Sequence, residues 1–158
     1  MDQSGNHLIE YETDINNKPL FTLPTYVTST SSNNICVVDR LLKNAKGRIV
    51  VIGQEGNIKG IYTGHDDVNT EDKPFIPLGI LVTQSDNILV VDWAVSVVRI
   101  LNSDGEFISY LNVYNLGIQY PHSIALSTPG KLYIGCGRGE ESLKNDKAKL
   151  YEVEYSGV

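Results

Sequence analysis

Apolar residues in this chain cluster in short runs bounded by Gly, Asn or Asp; Ile49-Val50-Val51-Ile52 and Ile88-Leu89-Val90-Val91 are the longest. Runs of that size match β-strands and fall far short of the roughly 20 residues a membrane helix needs. Acidic-Gly pairs recur between such runs, at Glu55-Gly56 and Asp104-Gly105. They predict hairpins, because the turn needs a positive φ that glycine adopts without strain.

The runs repeat. Pro24, Pro77 and Pro121 are each followed 11 positions later by the aliphatic residue that opens a second run (Ile35, Ile88, Leu132). The residue closing that run stands 15 after the proline: Asp39, Asp92 and, departing from the pattern, Cys136. Each copy continues through a polar loop into another run before a glycine, at Gly56, Gly105 and Gly157. A fourth run follows in the first two copies, at 57–62 and 106–111. One unit is thus four short antiparallel strands, and four-stranded units recurring at 40–50 residues are the pattern of β-propeller blades. The resulting division is 1–22 as the outer strands of a preceding blade, 23–64 as a blade and 65–75 as an inter-blade loop. A second blade spans 76–112, and 113–158 is a blade lacking its outermost strand. Thirteen strands are expected, two of them at 7–11 and 18–22. About three blades are too few to close a ring. The chain is therefore either part of a larger propeller completed by upstream blades, or half of a six-bladed ring formed with a second copy, whose 18–22 strand would pair with the open edge at 149–155. Runs 24–30, 35–39, 77–83, 88–92 and 121–126 are expected to be the most protected, covered by blades on both sides. Loops 42–46, 65–74 and 138–147 are expected to be mobile.

Composition agrees. Val 15, Ile 15, Thr 9 and Tyr 9 make up about 30% of the 158 residues, against 4 Ala and 1 Met. Such side chains pack well on a pleated surface and lose rotamer freedom in a helix. The fold class expected is all-β. A net charge of −6 disfavours a phosphate backbone as partner unless charge is locally segregated. Two cysteines cannot form a structural zinc site without further ligands. With no basic-then-apolar leader pattern, the sequence reads as a cytoplasmic chain with reduced thiols and no membrane partner.

The second copy, Pro77 to Ile80, Asp86-Asn87-Ile88-Leu89-Val90-Val91-Asp92, Arg99-Ile100-Leu101 and Ser103-Asp104-Gly105-Glu106-Phe107, resembles the NHL repeat. Over about residues 18–157 the chain is similar to the C-terminal half of the NHL-like propellers of tripartite-motif proteins, of the mollusc and invertebrate type. That resemblance implies a partial propeller that recruits a protein or RNA partner. Ubiquitin-ligase activity in that family resides in RING and B-box zinc modules, for which this sequence has too few Cys and His residues. The expectation is a non-catalytic protein-interaction module without a cofactor. RNA binding is the second reading, and a propeller hydrolase with a central metal the third. The third would need inward Asp, Asn or Glu, where the inner runs offer Thr25, Leu78 and His122.

Candidate partner contacts come from four places. Residues 40–59 carry Arg40, Lys43, Lys46, Arg48 and Lys59 against Glu55, a local charge of +4 that reads as a phosphate-contacting patch or a solvated loop. His122, at the mouth of an inner run, reads as a channel-facing contact or a strand-edge residue. Trp93, the only tryptophan, reads equally as inter-blade packing or an exposed anchor. Arg138 joins this set from a glycine-rich stretch that lacks the following helix a phosphate cradle requires. Asp39 and Asp92 recur at one position and are expected to accept N–H groups of the following loop. The acidic stretch 65–72 departs from a calcium loop, with Asp72 and Leu78 where glycine and glutamate are needed.

Overall fold

A computed structural model describes residues 4–5, 9–42, 45–127, 130–137 and 147–157. These residues form 11 strands in three antiparallel sheets, with one short 3₁₀ turn at Tyr114–Leu116. The first sheet is β1 (Pro24–Ser29), β2 (Ile35–Arg40), β3 (Gly47–Ile52) and β4 (Ile58–Tyr62), in that order. The second is β5 (Pro77–Val82), β6 (Ile88–Asp92), β7 (Val97–Leu101) and β8 (Phe107–Asn112). The third holds β9 (Pro121–Ser127), β10 (Lys131–Cys136) and β11 (Lys149–Glu154), with β11 at its edge. The sheets are not closed on one another.

The sequence repeat is a repeat of register. Pro24, Pro77 and Pro121 open their strands, where a missing N–H is tolerated, and pair with Asp39, Asp92 and Cys136 respectively. The first turn of each sheet reverses through a left-handed residue nine positions after the proline: Asn33 (φ 63°), Asp86 (φ 60°) and Gly130 (φ 68°). In the first two sheets Thr30 and Thr83 close that turn, each hydroxyl accepting the N–H four residues on at 3.0 and 3.1 Å. The β3–β4 and β7–β8 hairpins turn at Gly56 (φ 80°) and Gly105 (φ 86°), as the sequence predicts. Gly157 is different: it lies beyond β11 without a positive φ.

Packing between sheets explains the alternation along each strand. Ile88 and Val90 of β6 join Cys36, Val38, Ile49 and Val51 in the core between the first and second sheets. Leu89 of the same strand faces Leu132 and Ile134 in the core toward the third. With apolar partners on both faces, β6 is buried at every position, hence its uninterrupted aliphatic run. The protection expected of the first strands is a correction. β1 is exposed along most of its length, with Tyr26 and Val27 at 52% and 69%, and β9 is partly exposed. The middle strands β2, β3, β6 and β7 are the covered ones, since each has neighbours in its sheet and layers on its faces.

The described part of 9–22 forms no strands, only a Thr13–Pro19 bridge. Asp14 accepts the N–H groups of Asn16 and Lys18 at 2.8 and 2.9 Å, turning the chain tightly. Leu20 is then buried against Val50 and Ile52. Segment 18–22 is therefore held on its own first sheet. The described residues thus form 11 strands where the sequence leads to an expectation of 13, with residues 7 and 8 of the expected 7–11 strand outside them.

Two clasps join the first and second sheets at their turns. Asn34 donates to the Ser103 carbonyl at 3.1 Å. Ser31 donates its N–H to the Asp86 carboxylate at 2.7 Å and its hydroxyl to the second oxygen. These two hydrogen bonds hold the Asp86 carboxyl below its ordinary value of 3.8. A carboxyl lowered on folding contributes stability that is complete above its unfolded value and lost as pH falls through the folded one. Asp86→Asn should therefore lower the thermal midpoint slightly at neutral pH, and the difference from the parent should shrink as pH falls below the ordinary value and vanish below the lowered, folded one. A difference that persists unchanged in acid would show that the charge on Asp86 contributes nothing.

Candidate functional site

The repeated aspartates are fully buried and each is paired with an arginine of the adjacent strand. Asp39 lies opposite Arg48, whose Nε donates to it at 2.8 Å, while Arg48 Nη2 reaches the Leu20 carbonyl. The other Asp39 oxygen accepts the N–H groups of Thr22 and Leu23, both at 2.7 Å. Those amides belong to the segment entering β1, not to the following loop, so the sequence expectation is corrected in direction. Asp92 divides its contacts: it accepts Ala94 N–H from the following loop and Ile76 N–H from the preceding segment. Its second oxygen takes Arg99 Nη2 at 2.8 Å and Asn69 Nδ2 at 3.0 Å.

Arg99 is wholly buried, and its guanidinium lies 6.0 and 5.9 Å from the ring centres of Phe75 and Tyr110. Asn69 reaches it from the 63–76 connection, accepting Arg99 Nη2 at 2.8 Å. Residues 65–74 of that connection are expected from the sequence to be a mobile loop. Its acids Asp66, Asp67, Glu71 and Asp72 are indeed exposed, but Asn69 and buried Phe75 anchor it to the second sheet. His65 lies 4.5 Å from the Phe107 ring, adding a third attachment.

These attachments position a cleft at the end of the second and third sheets where β6 leads to β7 and β8 to β9. Trp93 begins the β6–β7 turn, its N–H on the Ile76 carbonyl at 3.0 Å. Its ring packs 5.4 Å from that of Tyr120. Ser96, buried with φ 53°, fixes the opposing connection. Its carbonyl accepts Tyr114 N–H at 3.1 Å and its hydroxyl accepts Tyr120 N–H at 3.2 Å. Buried Val113 and Ile118 anchor that connection from below. Tyr120 itself is left-handed (φ 52°), a conformation costing a bulky residue about 1–2 kcal/mol that surrounding contacts must hold. The result is a hollow of about 490 Å³ with Lys73, Asn112, Tyr114, Gln119 and Tyr120 on its walls. Gln119 and Tyr120 also line a smaller hollow of about 90 Å³ with Gly137, Lys147, Lys149 and Tyr151. A larger hollow, about 1060 Å³, lies between segments 9–16 and 54–58 at the other end of the first sheet. Its walls are exposed turn segments, and it lacks a packed aromatic pair.

The sequence-derived contacts divide on this frame. Trp93 is half-buried, its ring packed on Tyr120 beside the cleft. His122 is exposed and stands over Gly137, where a side chain would collide with its imidazole. Lys46 is exposed and Arg40 half-buried, whereas Arg48 is taken out of the basic patch by Asp39. Lys43 and Arg138 lie outside the described residues. Sequence reasoning missed Asn69, Ser96, Arg99 and Tyr120. Only Arg99 carried a signal, as the counterpart of Arg48.

Among the described residues no group of three or more His, Cys, Asp and Glu side chains is placed to hold a metal. Cys36 and Cys136 are free and buried, and burial, with the Asp86 charge adding, pushes the Cys36 thiol up to about 12. A thiol held that high stays protonated and is a poor nucleophile. No described helix is long and apolar enough to cross a membrane. In comparisons with known proteins, no family model and no curated protein matches the chain.

Proposed function

We propose that this chain is a non-catalytic protein-interaction module built from about three blades of an NHL-type propeller. In this reading it is the substrate-recruiting part of a tripartite-motif ubiquitin ligase, with the zinc-binding catalytic modules elsewhere. The repeated Pro–Asp register and the stacking of β5 against β1 and of β9 against β5 support the propeller reading. Completion of the three-stranded third sheet by a fourth strand, from upstream blades or a second copy, belongs to the same proposal. Sedimentation showing a compact, cooperatively unfolding monomer at micromolar concentration removes the second-copy form.

The observation that carries the binding function is the cleft lined by Tyr114 and Tyr120, with Trp93 packed on Tyr120 beside it. Aromatic side chains held rigidly at a surface hollow offer large contact area at little entropic cost, which makes them frequent anchors of interfaces. Proximity labelling in cells of the source organism compares the parent chain with a Trp93→Ala/Tyr120→Ala double variant of unchanged far-ultraviolet spectrum. The same protein partners should be labelled by the parent and lost by the variant. Equal labelling overturns the reading. A salt-sensitive RNA shift abolished by Arg40→Glu with Lys43→Glu would instead make RNA the partner. Reading the gene upstream for RING and B-box zinc ligands tests the ligase assignment.

A further inference from the structure

The cleft carries a charge pattern that the chain as a whole does not. Net charge is −6, yet the described residues lining the two joined hollows include Lys73, Lys147 and Lys149 and no Asp or Glu. All three lysines are exposed, and none has a carboxylate partner at salt-bridge distance among the described ion pairs. Lys73 stands on the wall of the larger hollow, and Lys147 and Lys149 on that of the smaller. Gln119 and Tyr120 belong to both, so Tyr120 lies between the cations.

Resting on the protein-binding reading above, we propose that this cleft takes a short acidic peptide with a bulky apolar side chain among its carboxylates. The apolar side chain sits against Tyr120, whose ring is backed by Trp93. Carboxylates to either side reach Lys73 and the Lys147–Lys149 pair, while Asn112 and Gln119 offer amide groups to its backbone. The neighbouring connection limits the length of anion accepted. Asp66, Asp67, Glu71 and Asp72 lie exposed in the segment just before Lys73 and repel a polyanion that runs past the cleft. A phosphate backbone, carrying charge at every nucleotide, meets that barrier; a short peptide does not. Because the cations are solvated, their contribution is screened by salt and acts chiefly on selectivity and association rate.

Trp93 is the chain's only tryptophan and packs on Tyr120 of the cleft, so its fluorescence reports a ligand seated there through that ring contact. The whole 158-residue chain is titrated with the synthetic peptide Glu-Asp-Phe-Glu-Asp-Leu, with its counterpart carrying Lys at every acidic position, and with oligouridylate. The acidic peptide should shift Trp93 emission and bind at least about tenfold tighter than the lysine peptide. Lys73→Glu with Lys147→Glu, both on exposed positions, should reverse that preference while leaving the free protein's spectrum unchanged. Equal affinity for the two peptides, no binding of the acidic one up to about 1 mM, or tighter binding of oligouridylate overturns the proposal. Labelled partners that depend on Trp93 and Tyr120 but not on the lysines would leave the protein-binding reading standing and remove only this chemistry.

Discussion

Asp92→Ala should destabilise the chain by about 3–5 kcal/mol, the usual cost of stranding one member of a fully buried ion pair. Arg99 has no exposure, and without Asp92 its remaining polar partner is the Asn69 side chain. The same change at Asp39 should cost less, about 1–3 kcal/mol, because Arg48 is 23% exposed and water can replace the lost carboxylate. The repeat thus places one residue type in two environments of unequal consequence. Urea midpoints at constant slope give both values. Replacing the pair together, Asp92→Leu with Arg99→Met, should recover most of the loss, since no charge is then left buried. If Asp39→Ala proves the costlier single change, burial of the arginine is not what sets the penalty.

Gly60→Ala should also be strongly destabilising, for a steric reason. Gly60 sits in β4 opposite Val51, and a methyl group there would overlap the backbone carbonyl of Asp104 in the β7–β8 turn. A flexible side chain could swing aside, but a turn backbone clasped by Asn34 and by the Asn102 side chain cannot do so cheaply. The second sheet must move off the first, at about 1–3 kcal/mol for overpacking of this kind. The adjacent, exposed Lys59→Ala should stay within about 0.5 kcal/mol of the parent. Hydrogen exchange should show faster opening of the contact between β4 and the β7–β8 turn. A Gly60→Ala chain as stable as Lys59→Ala would mean that the two sheets approach less closely than described.

Much of the strand framework was legible in the residues because it depends on local chemistry. Pro24, Pro77 and Pro121 fit the start of an edge strand, Gly56 and Gly105 supply the positive φ of a hairpin, and four-residue aliphatic runs fit the centre of a buried strand. The N-terminal segment misled because Leu20 and Phe21 have the composition of a strand. The Asp14 turn and the surface of β3 offered them a different burial, and composition does not distinguish pairing from packing.

The candidate site was only partly legible, and the reason is distance along the chain. Trp93 stood out as a single large aromatic, and Asp39 and Asp92 as repeated acids. Their roles depend on partners that no local pattern ties to them: Tyr120 for Trp93, and Asn69 and Phe75 around the Asp92–Arg99 pair. Arg48 looked like one of several cations in a basic stretch until the pairing of β2 with β3 set it against Asp39. Strand identity, turn position and repeat length follow from steric and hydrogen-bonding preferences that each residue carries wherever it stands. Which charges are neutralised, which aromatic rings meet and which strand is covered on both faces depend on how sheets stack, and stacking joins residues far apart in sequence. The all-β repeat was therefore readable from the order of residues, while the cleft with its cationic walls exists only once the second and third sheets lie together.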